Sequence, residues 1–117
     1  MGQAQFNGDN GADTLIGNTG DDLLTGGGNQ DRFVFSGNFG DDIITDFSAN
    51  DLEKVDLSAV IGIANFADLV NNHLHTDGGT GFALIDDGAG TTILLDGITT
   101  AQVGNGLAYS ANDFIFV

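Results

Sequence analysis

The sequence predicts an all-β fold in which a right-handed coil of short parallel strands is closed by a C-terminal β-hairpin cap carrying one short helix. Three observations predict it: a period rich in Gly and Asp in the first half, an apolar residue fixed two places after each periodic Asp, and a hairpin pattern in the second half. The period also sets the organisation. Residues 1–47 form the repeats and 48–117 the capping region, expected as one continuous domain.

Aligned on their glycines, four segments read GDNGADTLI from Gly8, GNTGDDLLT from Gly17, GGGNQDRFV from Gly26 and GNFGDDIIT from Gly37. The first two steps are nine residues each, and the third is eleven because Phe35 and Ser36 intervene. Each segment has Asp at its sixth position (Asp13, Asp22, Asp31, Asp42) and a large apolar residue at its eighth (Leu15, Leu24, Phe33, Ile44). Six residues of Gly, Asn and Asp suit a turn with left-handed backbone, and the three that follow suffice only for a very short strand. Two such units make one flattened coil, so alternate segments stack, first with third and second with fourth. The eighth-position side chains then face inward, and Asp13 meets Asp31 as Asp22 meets Asp42. A disordered acidic linker would lack the apolar residue tied to each Asp.

Charge sharpens this arrangement. Asp and Glu number 17 against two basic residues, Arg32 and Lys54, for a net charge of −15. Such a chain repels nucleic acid and anionic membranes and attracts cations. Glu53 is the only Glu, so the acids belong to turns rather than to helix surfaces. Facing carboxylates with no Lys or Arg nearby demand a proton or a cation between them. Oxygen-only sites built from carboxylates and turn carbonyls suit calcium better than zinc or copper, and two stacked pairs imply at least two ions. Cysteine is absent, so a bound ion is the remaining staple for a small charged domain. An EF-hand does not fit, because placing Glu53 at loop position twelve puts Phe47 where Gly is required.

These segments resemble the G-G-x-G-x-D-x-U-x nonapeptide of RTX, or hemolysin-type, calcium-binding proteins, whose fold is a right-handed parallel β-roll. Asp9, Asn18 and Asn38 replace the Gly at position two and Asn29 the Gly at position four, residue types that tolerate left-handed backbone. The resemblance implies candidate calcium ligands turn by turn: Asp9, Gly11 and Asp13; Asn18, Gly20 and Asp22; Gly26, Gly28 and Asp31; Gly37, Asp41 and Asp42. The next stretch, DFSANDLEKVDLSAV, is similar to the segment after the roll in RTX C-terminal domains and adds Asp46 and Asp51 to the set, with a solvated turn as the plain alternative.

Beyond it, Phe66, Leu69, Val70, His73 and Leu74 lie at helical spacing behind Asn65 as N-cap. Residues 82–86 and 91–95 read as the two strands of a hairpin. Thr99 opens a capping box, and Phe114 to Val117 has strand character. Alternation puts Leu23 and Ile43 on the outer face, so the helix and hairpin are expected to pack near Leu23, Ile43, Val34 and Phe35.

Little here points to catalysis. Adjacent acids (Asp21 with Asp22, Asp41 with Asp42, Asp86 with Asp87) point to opposite faces of a strand or lie in turns. His73 and His75 lack a third ligand, and no nucleophile elbow or phosphate loop occurs. The chain is therefore expected to be a non-catalytic module. No apolar run approaches the roughly 20 residues of a bilayer span, and Met1 is not followed by an apolar secretory stretch.

The ending DFIFV (Asp113, Phe114, Ile115, Phe116, Val117) resembles the uncleaved C-terminal signal of RTX proteases and lipases exported by type I (ABC-transporter) machinery. The resemblance implies a secreted module from a larger exported bacterial protein, kept unfolded in the calcium-poor cell and folded by calcium outside. Deleting the last five residues is then expected to abolish export and spare calcium binding. Two alternatives share the physics: the R-module of a polysaccharide-modifying enzyme such as a mannuronan C5-epimerase, with an anionic polysaccharide as partner, and an adhesin end domain.

Overall fold

The computed structural model describes residues 5–7, 11–16, 19–27, 30–36, 39–47, 53–60, 62–104 and 106–116. Its strands run in chain order as β1 (Gln5–Asn7), β2 (Thr14–Ile16), β3 (Leu23–Thr25), β4 (Arg32–Ser36), β5 (Asp41–Ile44), β6 (Lys54–Ala59), β7 (Leu74–Thr76), β8 (Ala83–Asp86), β9 (Thr92–Leu95) and β10 (Phe114–Ile115), with one short helix α1 (Phe66–Asp68) after β6. They form two sheets. One holds β10, β6, β4 and β2 and is wholly parallel; the other orders β1, β3, β5, β9, β8 and β7 and is mixed.

Within the repeats the alternate stacking is present: β2 pairs in parallel with β4, and β3 with β5. A three-residue strand between tight turns cannot fold back on its neighbour, so it meets the strand one full coil away. Leu15, Leu24, Phe33 and Ile44 are all buried, as their shared position requires. Two turns are close enough to exclude a side chain. A Cβ on Gly40 (φ +82°) would lie 2.3 Å from the Gly20 carbonyl oxygen, and one on Gly26 would lie 2.4 Å from Asp31 Oδ2.

The expected fold, an all-β, right-handed parallel β-roll followed by a C-terminal hairpin cap with one short helix, is not what the chain adopts. It is a compact α/β-like arrangement of two sheets, one parallel and one mixed, with one short helix. The hairpin does not sit over an open end. Strand β9 joins β5 in parallel from Asp41↔Thr92 to Ile44↔Leu95, and β8 and β7 follow antiparallel. The reason is the exposed edge of β5, whose unpaired backbone groups are better satisfied by a strand than by a lid. Alternation along the hairpin then turns Ala83, Ile85, Ile93 and Leu95 into the same core as Leu24 and Ile44.

In the parallel sheet β6 continues the stack beside β4, and β10 pairs with β6 at Phe114↔Val55 and Ile115↔Asp56. Phe47 lies at the centre of an aromatic cluster, with ring centroids 6.3 Å from Phe33, 5.3 Å from Tyr109 and 6.0 Å from Phe114. Each such pair adds about 0.5–1.5 kcal/mol beyond area burial. The Tyr109 hydroxyl donates to the Phe47 carbonyl at 3.1 Å, which ties the C-terminal segment to the end of the repeats.

The helix is shorter than its apolar spacing suggests. The Asn65 side chain accepts from Asp68 N at 2.8 Å, as an N-cap should, but α1 passes into a π-helical turn at Leu69–His73 and Leu74 opens β7. The free edge of β8 takes Leu74–Thr76 as a strand, overriding helical periodicity. The capping box at Thr99 forms, with Thr99 N donating to Gln102 Oε1 at 2.8 Å. Among the described residues no helix is long and apolar enough to cross a membrane.

Leu23 and Ile43 are half-buried on the outer face of the mixed sheet, Val34 is half-buried and Phe35 is buried. Helix and hairpin do not roof Leu23 and Ile43. Instead β9 lies alongside, adding its own outward Leu94 level with Ile43.

Candidate metal centre

The periodic aspartates stand where turn backbone and sheet backbone meet, Asp13, Asp22 and Asp31 just before their strands and Asp42 as the second residue of β5. In the parallel sheet, Asp13 N donates to Asp31 Oδ1 at 2.9 Å, while Arg32 N donates to the Asp13 carbonyl at 2.8 Å. In the mixed sheet, Asp22 N donates to Asp42 Oδ1 at 2.8 Å and Ile43 N to the Asp22 carbonyl at 2.9 Å. The expected facing pairs are thus brought together, one per sheet. In each, one carboxylate oxygen of the later Asp is fixed by the earlier turn's N–H.

The second oxygens are different. Asp13 Oδ2, Asp31 Oδ2 and Asp42 Oδ2 are buried and have no hydrogen-bond partner. A buried carboxylate oxygen without a donor is costly, and a carboxylate in that state takes up a proton or a cation. The titration of Asp42 reflects this. Burial first, then the charges of Asp22, Asp21 and Asp41, push its carboxyl up to about 7, against the opposing hydrogen bond from Asp22 N. Asp31 is raised too, by burial and by the Asp13 and Asp46 charges.

Glu53 extends the first pair into a column, and the sequence reasoning missed it. Registers Thr14↔Arg32 and Arg32↔Lys54 bring residues 13, 31 and 53 to one level on neighbouring strands. Glu53 is fully buried and its carboxyl lies beside that of Asp31. A signal was available: Glu53-Lys54-Val55 repeats the acid, base, apolar order of Asp31-Arg32-Phe33. The second column ends differently, since Asp42 is followed at its level by Ile93, whose aliphatic wall adds to the desolvation.

Other candidate ligands lie elsewhere. Asp41 is exposed on the outer face; its N donates to Asp21 Oδ1 at 2.8 Å and its Oδ1 accepts from Thr92 Oγ1 at 2.9 Å. Asp46 accepts from Gly26 N and Gly27 N at 2.9 and 2.8 Å, locking the third turn. Gly11 and Gly20 hold positive φ of 91° and 96°, while Gly26 makes room for Asp31. Asp9, Asn18, Gly28, Gly37 and Asp51 fall outside the described residues. Among the described residues no three His, Asp or Glu side chains gather in a group that could hold a metal ion. A hard cation here would rest on paired carboxylates completed by turn carbonyls.

The apolar ending is folded into the molecule. Asp113 is buried, and its Oδ2 accepts from Ser110 N at 2.8 Å in a second capping box. Phe114 is buried between Phe47 and Phe66, Ile115 and Phe116 are half-buried, and Val117 lies outside the described residues. No family model, curated protein or solved structure matches the chain.

Proposed function

We propose that this chain is a non-catalytic calcium-binding folding module of a protein exported by type I secretion, with calcium outside the cell driving its folding. The observation that carries the reading is the set of buried, half-satisfied carboxylates in stacked turns, on a chain of net charge −15. Asp13 with Asp31, and Asp22 with Asp42, would hold the ions. Bound calcium would supply the positive charge that each pair lacks.

The chain's own residues do the rest. Backbone N–H groups of Asp13 and Asp22 orient the Asp31 and Asp42 carboxylates, so the acids are aimed before any ion arrives. Without cations, self-repulsion opposes the compact state and the chain stays close to unfolded, the form that a narrow export channel accepts. An extracellular module binding calcium with a dissociation constant on the order of 10⁻⁴ to 10⁻³ M would fold only after release. The acidic surface weighs against an anionic polysaccharide as the principal ligand.

Calcium titration followed by far-UV circular dichroism and calorimetry tests this. Expected are β-structure that grows with calcium, reversal by EDTA, and weaker binding in Asp31→Asn and Asp42→Asn. Identical spectra with and without calcium, and no binding heat, would sink the proposal.

A further inference from the structure

The outer face of the mixed sheet carries a row of side chains running across its strands. Registers Leu23↔Ile43, Ile43↔Leu94 and Leu94↔Leu84 set four aliphatic residues level on β3, β5, β9 and β8, with His75 of β7 level with Leu84. Outward positions of an ordinary exposed sheet face are polar. Here all four are half-buried aliphatics, and Ile43, Leu84 and Leu94 line a shallow groove of about 390 Å³.

Acids border the row. Asp41 and Asp77 line the groove, and Asp86 and Asp21 flank the row on the Asp41 side. On the other side stand Thr25 and Thr45, their hydroxyls 2.6 Å apart, and the exposed Asp96. The chain's only two basic side chains belong to the opposite sheet and are engaged there: Arg32 pairs with Asp56 at 3.0 Å, and Lys54 Nζ donates to the Asn112 carbonyl.

We infer that this face is a docking surface for a basic, amphipathic segment of a partner protein, its apolar side on the Leu23, Ile43, Leu94, Leu84 row and its Lys or Arg side chains on the flanking aspartates. Charge complementarity selects the occupant. Among the described residues a second copy of this chain has no free Lys or Arg to bring, and anionic glycans, nucleic acids and membranes are repelled. Aliphatic stems of Lys and Arg also suit a groove with an apolar floor and acidic rims. With strands about 4.8 Å apart, five strands span roughly 19 Å, the length of a helix of about 13 residues. The inference does not depend on calcium binding.

The test uses the whole chain in calcium-containing buffer at physiological ionic strength, its fold checked by circular dichroism. The probe is a fluorescent amphipathic Leu/Lys peptide of about 14 residues, long enough for the row; a peptide of the same composition in scrambled order is the control. Fluorescence anisotropy should show the patterned peptide binding at least about tenfold more tightly than the scrambled one. Leu94→Lys should weaken it by a similar factor, and Ile16→Lys on the opposite sheet by much less. If Leu94→Lys does not fold, Leu84→Thr carries the same comparison. Equal binding of both peptides, equal losses from both faces, or a concentration-dependent dimer that the peptide cannot dissociate would overturn the inference.

Discussion

Replacing Asp42 with Asn separates the cost of a buried charge from its use. The Asp42 carboxyl, pushed up to about 7 from the ordinary 3.8, is raised by about three units, and each unit is worth 1.36 kcal/mol. Between the two values the folded chain holds a proton that the unfolded chain has lost, so this group makes stability fall as pH rises from about 4 to about 7. At about pH 8 without calcium the ionised group therefore costs about 2–4 kcal/mol, the lower figure allowing for water screening at the turn. Asn keeps the acceptor for Asp22 N and removes the charge. Folding titrations in EDTA, with a stabilising osmolyte added to populate the folded state of both chains, should find D42N more stable than the parent by about 2–4 kcal/mol at about pH 8 and by less than about 1 at about pH 4, where Asp42 is protonated in the folded chain and largely so in the unfolded one. Saturating calcium should reverse the order, since the parent alone keeps the full carboxylate pair. A D42N chain no more stable than the parent at about pH 8 in EDTA, or an unchanged pH slope, would refute the reasoning.

Gly26→Ala places a methyl group 2.4 Å from Asp31 Oδ2, so it should lower stability by about 1–3 kcal/mol and weaken calcium binding, read by thermal melts and calorimetry. Arg32→Met removes the cation from Asp56. Burial drives that carboxyl upward, but the Ser58 hydroxyl and N–H and the Arg32 charge hold it below its usual range. Its stabilisation is present above about pH 4 and lost as pH falls through the depressed folded value, so the variant should lose about 1 kcal/mol near neutrality and much less in acid, measured by urea unfolding. Phe114→Ala opens the aromatic cluster and should cost about 3 kcal/mol in denaturant unfolding. Deleting residues 113–117 would remove a cap and a core ring together, so export is better probed by Phe116→Ser. Loss of export with a melting curve close to the parent's would assign the ending a recognition role; full export would limit it to packing.

What the sequence determined by itself was the local grammar of the repeats. Gly and Asp in a fixed frame dictate turns, an apolar residue two places later dictates an inward face, and the period dictates which strands pair; hence Asp13 meets Asp31 and Asp22 meets Asp42. These features depend on short-range sterics and on a spacing visible in one dimension. The tertiary structure decided the rest, because unpaired strand edges compete for whatever strand is near. That competition drew β9 onto β5, extended a parallel stack into a mixed sheet, and turned Leu74 from the end of a helix into the start of a strand. The same register brought Glu53 level with Asp31 and gathered Leu23, Ile43, Leu94 and Leu84, residues far apart in the chain, into one row. Such alignment follows from sheet register, which is fixed only when every strand has found its neighbour.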